Sequence, residues 1–417
     1  MGSTLAHSAV ALVTGGAGGI GWAICQRLAR AGYRVVIADL NADEARRRAA
    51  TLGPDHGAIG VDLTDAEAAR DLVPQALRAF GALQLVVNNA GMTDTGGHAL
   101  TGMPDAAFGR IVALNLTAVQ EICAQAQQLL RPGGVVINIA SGAAWRPLPL
   151  RGPYSATKAA LVALTEGLAP EFAARGLRIG GVAPGYTLTP LVEELSRAGR
   201  LDLDAVAATI PLGRLALPQD IADAVAFMAS GSGAPLAGQT LIVDGGNSQG
   251  TASSSAMPPR GALEGPGALA WLGLTTAASD ITATTLEGLG AIRPLGGVID
   301  TTAFDGAPLA DILTRARDTA QACATHPARC QDFTLIFVAP PGVTPAGKAG
   351  QAAQAMLART LALEWAGAGM RVNAIEWHGG AQADLVALCR FLAGAEAGYI
   401  TGQTLIAGNL AGLAPAQ

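Results

Sequence analysis

Short apolar runs alternate with segments of helical periodicity through the first half of the chain. The runs are rich in Val, Ile and Leu, and turns containing glycine or aspartate separate them. This alternation is typical of a parallel sheet whose crossover helices cover both of its faces. We therefore predict a doubly wound α/β fold, with strands at residues 10–14, 34–38, 58–61, 85–88, 134–139, 178–183 and 240–243.

The chain is long enough for two domains, and its composition marks the boundary between them. At 417 residues it exceeds the size at which one hydrophobic core usually stops growing. Residues 249–262 replace the alternating pattern with small polar residues and prolines, which is typical of an interdomain linker. We predict a first domain at residues 1–248 and a second domain at residues 263–417.

The second domain repeats part of the first. Residues 237–242 match residues 401–406, and residues 168–179 match residues 361–372. The spacing between matched segments shortens along the chain, so the repeat is imperfect and pieces of it are missing. We predict a second, truncated domain of the same plan that lacks most of the first half of that plan.

Composition excludes several classes of protein. Hydrophobic residues make up 50% of the chain and charged residues 14%, which is typical of a compact globular protein. The net charge of -5 argues against a nucleic-acid partner, which would need clustered Lys and Arg. No apolar run is long enough for a membrane helix, the cysteines lack C-x-x-C spacing, and the histidines are too dispersed for a zinc site. We expect a cytoplasmic protein with no membrane partner and no metal.

A glycine-rich turn follows the first predicted strand and opens a helix. It reads Thr14-Gly15-Gly16-Ala17-Gly18-Gly19-Ile20-Gly21. The glycines at 15, 19 and 21 would let the backbone turn tightly and approach a pyrophosphate, whose charge is favourable at a helix N-terminus. An ordinary loop is the alternative, because the chain has 54 glycines. The position between strand and helix favours a dinucleotide site and a Rossmann-type fold.

Asp39 ends the second predicted strand, where a carboxylate can accept hydrogen bonds from both hydroxyls of an adenosine ribose. It would repel a 2′-phosphate. No arginine lies in the glycine-rich turn or at position 40, which is Leu40. The sign of the charge therefore favours NAD over NADP. A loop or helix-capping aspartate is the alternative.

Tyr154 and Lys158 lie one helical turn apart on one face of a predicted helix. A nearby fixed cation stabilises a phenolate, so Tyr154 could exchange a proton with a substrate hydroxyl near neutral pH. Ser141 ends a predicted strand, and its hydroxyl could meet the same oxygen. The chain has only two lysines and four tyrosines, which argues against a chance pair on an exposed helix.

Together these motifs resemble the short-chain dehydrogenase/reductase family over residues 8–248. The landmarks are the glycine-rich turn, Asp62-Leu63, Asn88-Asn89-Ala90-Gly91, Asn115, Ser141, Tyr154 to Lys158, Pro184-Gly185 and Asp244-Gly245-Gly246. The resemblance implies that hydride passes between a nicotinamide cofactor and a carbinol carbon. It implies that Tyr154 is the general acid/base and that Lys158 lowers its pKa and holds the nicotinamide ribose. Ser141 would position the carbonyl, and Asn115 would support a proton relay.

The resemblance also implies which residues hold the cofactor. Asp62 and Leu63 would flank the adenine, and Asn89 the adenosine ribose. Thr187 and Thr189 would contact the nicotinamide amide or the diphosphate. The implied set is Gly15, Ala17, Gly18, Gly19, Ile20, Asp39, Leu40, Asp62, Leu63, Asn89, Ala90, Gly91, Tyr154, Lys158, Pro184, Gly185, Thr187 and Thr189.

The second domain lacks the implied catalytic residues. At the positions matching Ser141, Tyr154 and Lys158 stand Pro340, Gly347 and Gln351. We therefore expect no catalysis in this domain. Because most of the dinucleotide half and 29 residues after the sixth strand are also missing, we expect it to bind neither cofactor nor substrate. Members of the family usually assemble through two long helices, and residues 308–325 and 349–366 match both. We hypothesise a tethered partner, so that one chain mimics a dimer and a homodimer mimics a tetramer. A docking or regulatory module for another protein is the alternative.

The predicted substrate wall is mainly apolar. It comprises Met92, Ala143, Trp145, Leu148, Tyr186 and Leu191. Three arginines, Arg146, Arg151 and Arg197, are candidates to reach an anionic group, although arginines near such a mouth are more commonly solvated. We favour a secondary alcohol or its ketone as the small-molecule substrate, including 3-oxoacyl-type or cyclic compounds. An NADPH-dependent 3-oxoacyl reductase and a non-catalytic NAD-binding sensor or scaffold are the alternatives.

Overall fold

The computed structural model describes residues 9–93, 99–199, 201–251, 297–300, 309–325 and 333–409. Seven parallel strands form one sheet in the order β3-β2-β1-β4-β5-β6-β7. They are β1 Val10–Thr14, β2 Arg34–Asp39, β3 Gly57–Gly60, β4 Leu83–Asn88, β5 Val135–Ile139, β6 Arg178–Pro184 and β7 Thr240–Val243. The predicted doubly wound, Rossmann-type sheet is confirmed. The predicted linker beyond residue 251 and the start of the second domain lie outside the described residues.

Helices cover both faces of this sheet. They are α1 Gly19–Arg30, α2 Ala42–Leu52, α3 Ala66–Phe80, α4 Asp105–Val112, α5 Ala118–Leu129, α6 Gly152–Ala173, α7 Pro190–Arg197, α8 Leu203–Ala208 and α9 Pro218–Ala229. Alternate side chains of one strand point to opposite faces. In β1, Leu12 joins a cluster with α3, α5 and α6, whereas Val13 joins a cluster with α1 and α9. Burial on both faces explains why the strands have uninterrupted apolar sequences.

Four further parallel strands form a second sheet in the order β11-β10-β9-β8. The strands are β8 Gly297–Asp300, β9 Thr334–Ala339, β10 Arg371–Trp377 and β11 Thr404–Ala407. The helices are α10 Leu309–Thr325, α11 Pro345–Trp365 and α12 Gln382–Ala393. This order is the same as that of β7-β6-β5-β4 in the first sheet.

The two sheets share one hydrophobic cluster. It includes Phe227 of α9 and Phe391 of α12, whose rings stack with centroids 3.7 Å apart. The amide of Gly408 donates to the carbonyl oxygen of Pro235 at 3.0 Å. These contacts lie at the edges of the two sheets, beside the edge strands β7 and β11. The tethered-partner hypothesis instead expected contacts through the long helices at residues 308–325 and 349–366. Edge strands need cover, which gives this contact its physical reason.

None of the helices within the described residues has the length and apolar character that a bilayer crossing requires. The same part of the chain contains no group of three or more His, Cys, Asp or Glu side chains that could hold a metal ion. Of the histidines, His56 accepts a hydrogen bond from the Val35 amide at 3.0 Å, and His378 pairs with Glu376 at 2.7 Å. Both histidines therefore have local structural partners.

Candidate active site

The strand order reverses between β1 and β4. The glycine-rich turn and the segment from Asn88 to Gly91 lie at the carboxyl ends of these two strands. Open α/β sheets bind ligands at such a position. The Thr14 hydroxyl accepts hydrogen bonds from the amides of Asn89 and Ala90, at 2.9 and 3.0 Å. The side-chain amide of Asn89 donates to the carbonyl oxygens of Thr14 and Gly15, at 2.9 and 3.0 Å. The loop after β4 is thereby fixed against the glycine-rich turn.

The glycine-rich turn has the backbone geometry that its sequence predicts. Gly15 and Gly19 have φ of 60° and 52°, in the left-handed region that favours glycine. A Cβ at Gly21 would overlap the carbonyl oxygen of Gly15. Gly18 precedes α1, and within the described residues no side chain caps this helix. The N–H groups at the start of α1 are therefore available to an anion, and the turn fits a diphosphate.

Asp39 lies beside this turn. One carboxylate oxygen accepts a hydrogen bond from the Ala17 amide at 3.0 Å, and the other accepts one from the Asn41 amide at 3.0 Å. The side chain of the next residue, Leu40, is 70% exposed. The carboxylate thus adds a negative charge at the adenosine end of the predicted cleft. Its hydrogen bond to the Asn41 amide also agrees with the alternative, in which Asp39 is a capping aspartate.

Asp62 and Leu63 follow β3 on the same edge of the sheet. The Asp62 carboxylate accepts hydrogen bonds from the amide and hydroxyl of Thr64, at 2.9 and 2.7 Å. These bonds lower the pKa of Asp62. Leu63 is buried in the hydrophobic cluster, so its side chain contributes to the core.

Tyr154 and Ser141 meet beyond the carboxyl end of β5. Tyr154 lies in the first turn of α6, and Ser141 begins the short 3-10 helix Gly142–Ala144. Burial raises the pKa of Tyr154 above its usual value, and it outweighs the opposing effects of the nearby Ser141 hydroxyl and of the Arg151 charge. The Ser141 hydroxyl also accepts a hydrogen bond from the Ala143 amide at 3.2 Å. Two hydroxyls therefore converge at the point where a substrate oxygen is predicted to bind.

Lys158 lies one turn further along α6 and is buried. Its ammonium donates to the carbonyl oxygen of Ile139 at 2.8 Å and lies 5.8 Å from the centre of the Tyr154 ring. Burial lowers the pKa of Lys158 to about 8. The Lys158 ammonium is therefore fixed beside the Tyr154 ring, and the pKa-lowering role that the resemblance gives to it stays a prediction.

Asn115 interrupts the helical run between α4 and α5. It lies within a π-helical turn, Ala113–Thr117, and is fully buried. Its side chain exchanges two hydrogen bonds with the backbone of Met92, at 2.8 and 2.9 Å, and donates to the Thr157 hydroxyl at 3.2 Å. A π turn is common at functional sites because it redirects a side chain. Asn115 thus joins the loop after β4 to α6.

Gly91 lies close to both the Asn115 side chain and the Lys158 ammonium. A Cβ built on it would lie 3.3 Å from the Asn115 side-chain oxygen and 3.4 Å from the Lys158 ammonium nitrogen. A larger residue would therefore crowd both polar groups. The structure brings Gly91, Asn115 and Lys158 together although 67 residues of sequence separate the first from the last.

The opposite side of the cleft is formed after β6. A Cβ at Gly185, which follows Pro184, would lie 2.7 Å from the Asp244 side chain. The Thr187 hydroxyl donates to the Gly185 carbonyl oxygen at 3.1 Å. Thr189 caps α7, and a Cβ on Gly19 would lie 3.7 Å from its methyl group. This loop therefore approaches the glycine-rich turn across the edge of the sheet.

The predicted substrate wall is only partly assembled as expected. Met92 and Leu148 are half-buried, Ala143 is buried, and Tyr186 is 38% exposed. The side chain of Leu191 lies outside the described residues. Trp145 instead lines a cavity of about 330 Å³ together with Arg359 and Gln403 from the second half of the chain. Its assignment to the substrate wall stays a prediction, and the structure adds a contact of this residue with a cavity that the second half of the chain helps to form.

Two sets of site contacts were missed by the sequence reasoning. The Ile139 carbonyl holds Lys158, and the Asn138 side-chain amide donates to Thr165 at 2.9 Å while its oxygen accepts from Asn88 at 2.8 Å. Both sets begin in β5. The signal was a polar asparagine within a fully buried strand, where an amide needs hydrogen-bond partners.

Comparison with known proteins identifies the family. A family model described as Enoyl-(Acyl carrier protein) reductase matches residues 15–248. An uncharacterised short-chain type dehydrogenase/reductase from Sinorhizobium fredii is 40% identical over 241 residues, which are 57% of this chain and 43% of that protein. This chain belongs to the short-chain dehydrogenase/reductase family. The match covers the first sheet and its helices.

Other short-chain dehydrogenases and reductases match over nearly their full length. The 4-formylbenzenesulfonate dehydrogenase of Comamonas testosteroni is 42% identical, with 57% of this chain and 96% of that protein covered. A cis-4-hydroxycyclohexanecarboxylate dehydrogenase from Sinomonas cyclohexanicum is 37% identical, with 57% and 95% covered. Among solved structures, the 3-ketoacyl-(acyl-carrier-protein) reductase of Brucella melitensis complexed with NADH has a TM-score of 0.52 and 31% identity, with 58% and 98% covered. The chain is therefore an oxidoreductase of a family that acts on CH–OH groups.

Proposed function

We propose that this protein is an NAD-dependent oxidoreductase that transfers hydride between nicotinamide and a secondary alcohol or its ketone, with Tyr154 as general acid/base. The placement of the Ser141 hydroxyl near Tyr154, with the buried Lys158 ammonium 5.8 Å from the centre of the Tyr154 ring, carries this proposal. Two hydroxyls at one point can bind one substrate oxygen and exchange its proton. A non-catalytic sensor or scaffold would have no need of this arrangement.

The chain's own residues account for binding and for the movement of the proton. Ser141 orients the carbinol oxygen, and Tyr154 accepts its proton during oxidation or returns it during reduction. The cofactor supplies the hydride acceptor when it is bound. Lys158 and Arg151 are the cations close enough to stabilise a Tyr154 phenolate. Asn115 holds the loop after β4 and α6 in one geometry, which supports its role in a proton relay.

We infer a preference for NAD from Asp39. Its carboxylate is fixed by the Ala17 and Asn41 amides, at the adenosine end of the cleft. A fixed negative charge favours two ribose hydroxyls over a 2′-phosphate. Gly15, Ala17, Gly18, Gly19 and Ile20 would hold the diphosphate through their backbone. The remaining implied contacts are Leu40, Asp62, Leu63, Asn89, Ala90, Gly91, Pro184, Gly185, Thr187 and Thr189.

The substrate that we propose is a cyclic secondary alcohol carrying an anionic group. One guanidinium nitrogen of Arg151 is buried and has no hydrogen-bond partner among the described residues, and the charge of Arg151 lowers the pKa of Tyr154. A guanidinium with a buried nitrogen that lacks a partner among the described residues favours a carboxylate or sulfonate ligand. Two of the similar dehydrogenases are named for ring compounds with such a group. The matched 3-ketoacyl reductase supports a 3-oxoacyl substrate as the second candidate.

We propose that the second half is a truncated, non-catalytic copy of the first and acts as a built-in partner. The equal strand order of the two sheets supports this proposal, and so do the positions of Gly347 and Gln351 on α11. These residues have no proton-transfer chemistry. Two such chains would form a homodimer that resembles a tetramer.

The test is turnover with a panel of cyclic and open-chain secondary alcohols, each with NAD and with NADP. We expect activity with NAD, and we expect Tyr154→Phe to lower kcat by roughly a thousandfold while the Kd for NAD changes little. Tyr33→Phe is the matched control, because Tyr33 follows α1 and lines a groove with α9 and α12 that includes neither Ser141 nor Tyr154. Tight NAD binding without turnover of any alcohol would contradict the enzyme and favour a sensor.

A further inference from the structure

Tyr399, in the second half of the chain, is buried against the first half. Its side chain is 1% exposed, and its hydroxyl donates to the carbonyl oxygen of Arg214 at 2.7 Å. The Arg214 guanidinium lies over the Tyr399 ring, 4.4 Å from its centre, and pairs with Asp220 at 2.7 Å. The Tyr399 side chain of the second half therefore contacts both the backbone and the side chain of Arg214 in the first half.

That point belongs to a segment, residues 210–217, that we call the strap. The strap is hydrogen-bonded to the loop after β6. The Ala216 amide donates to the Tyr186 carbonyl oxygen at 2.8 Å, and the Leu188 amide donates to the Ala216 carbonyl oxygen at 2.8 Å. Between these two bonds lies Thr187, which belongs to the proposed cofactor site. The strap therefore connects Tyr399 to the active-site loop.

A second set of hydrogen bonds links Tyr399 to the strap through Gly245. The Gly245 amide donates to the Tyr399 carbonyl oxygen at 3.1 Å, and the Leu212 amide donates to the Gly245 carbonyl oxygen at 3.2 Å. A Cβ on Gly245 would lie 2.8 Å from the Tyr399 ring. The backbone and the ring of Tyr399 thus pack directly on the segment after β7 as well as on the strap.

We propose that Tyr399 is a positioning residue for the active site, and that the second half of the chain holds the Tyr186–Thr189 loop through the strap. The inference rests on the proposed function, because it assigns that loop to cofactor and substrate binding. The phenol acts through the backbone of the strap and touches no reacting atom. The second half then contributes to activity without any catalytic residue of its own.

The variant that tests this is Tyr399→Phe in the full chain. It keeps the buried ring and removes only the donor to the Arg214 carbonyl. We expect hydrogen exchange at the Leu188 and Ala216 amides to rise roughly fivefold or more, with exchange in β1 unchanged. In turnover assays we expect KM for the alcohol to rise by a similar factor, with kcat within about twofold.

Tyr33→Phe is the matched control, because Tyr33 lines the groove formed by α1, α9 and α12, and neither the strap nor the Tyr186–Thr189 loop lines that groove. It should exchange and turn over like the wild type. The inference would be overturned if the Leu188 and Ala216 amides of Tyr399→Phe exchanged at the wild-type rate. It would also be overturned if exchange in β1 rose by the same factor, because that result indicates a general loss of stability. Because exchange is measured without turnover, an inactive wild type would refute the proposed function and leave this test decisive.

Discussion

Lys158 should give the protein a pH-dependent stability that its replacement removes. The ammonium is 4% exposed, and burial lowers its pKa from 10.5 to about 8. Between these values the unfolded chain keeps the proton and the folded protein loses it. The unfolded state therefore binds more protons, so the free energy of unfolding rises as pH rises through this window. At about 1.4 kcal/mol for each pKa unit, the whole rise is about 3 kcal/mol.

The assay is urea unfolding followed by circular dichroism, from about pH 7 to about pH 10.5, for the wild type and for Lys158→Met. Buried thiols and tyrosines titrate in both proteins, so their effects cancel in the difference. The wild type should gain roughly 3 kcal/mol relative to the variant. Lys348→Met, at the exposed second lysine on α11, should follow the wild type. Parallel curves for the wild type and Lys158→Met would refute the argument from burial.

Two further substitutions test the ligand preferences. Asp39→Ser should lower the ratio of kcat/KM with NAD to that with NADP by about tenfold or more, since it removes the charge that repels a 2′-phosphate; an unchanged ratio would show that Asp39 does not select the cofactor. Arg151→Gln should lower kcat/KM roughly tenfold for a cyclic alcohol with a carboxylate, and by less than about twofold for its uncharged analogue. Arg146→Gln is the control, because Arg146 already donates to Asn247 at 2.8 Å. Equal losses with both alcohols would contradict recognition of an anion by Arg151.

The first sheet could be predicted closely because burial on both faces leaves a direct mark on the sequence. Strands β1 and β7 have the predicted bounds, and the other five differ by no more than two residues at either end. The β3 prediction is displaced by one residue because its ends are glycines and Val61 follows it. The Val61 amide still donates to the Asp39 carbonyl oxygen at 3.0 Å, although the strand has ended. Apolar character alone does not mark where a ladder stops.

The motifs of the site could be predicted because each is local. The glycine-rich turn, and the pair formed by Tyr154 and Lys158, need only a strand end or one helical turn to be recognised. Their partners could not be predicted in the same way. The Ile139 carbonyl that holds Lys158 is a backbone atom, and no residue type in the sequence indicates it. The cavity that Trp145 lines could not be predicted either, because Arg359 and Gln403 of its wall come from the second half of the chain.

The contact between the two halves has a similar explanation. The matched segments 237–242 and 401–406 include all but the last residue of the edge strands β7 and β11, and the residues beside them form the contact. Tyr399 precedes one matched segment, and Gly245 follows the other. If the second half is a truncated copy, as we propose, its catalytic positions are occupied by Pro340, Gly347 and Gln351, and its retained segments include this edge. Retention of the contact then has a physical reason, because an edge strand without cover exposes unpaired backbone groups.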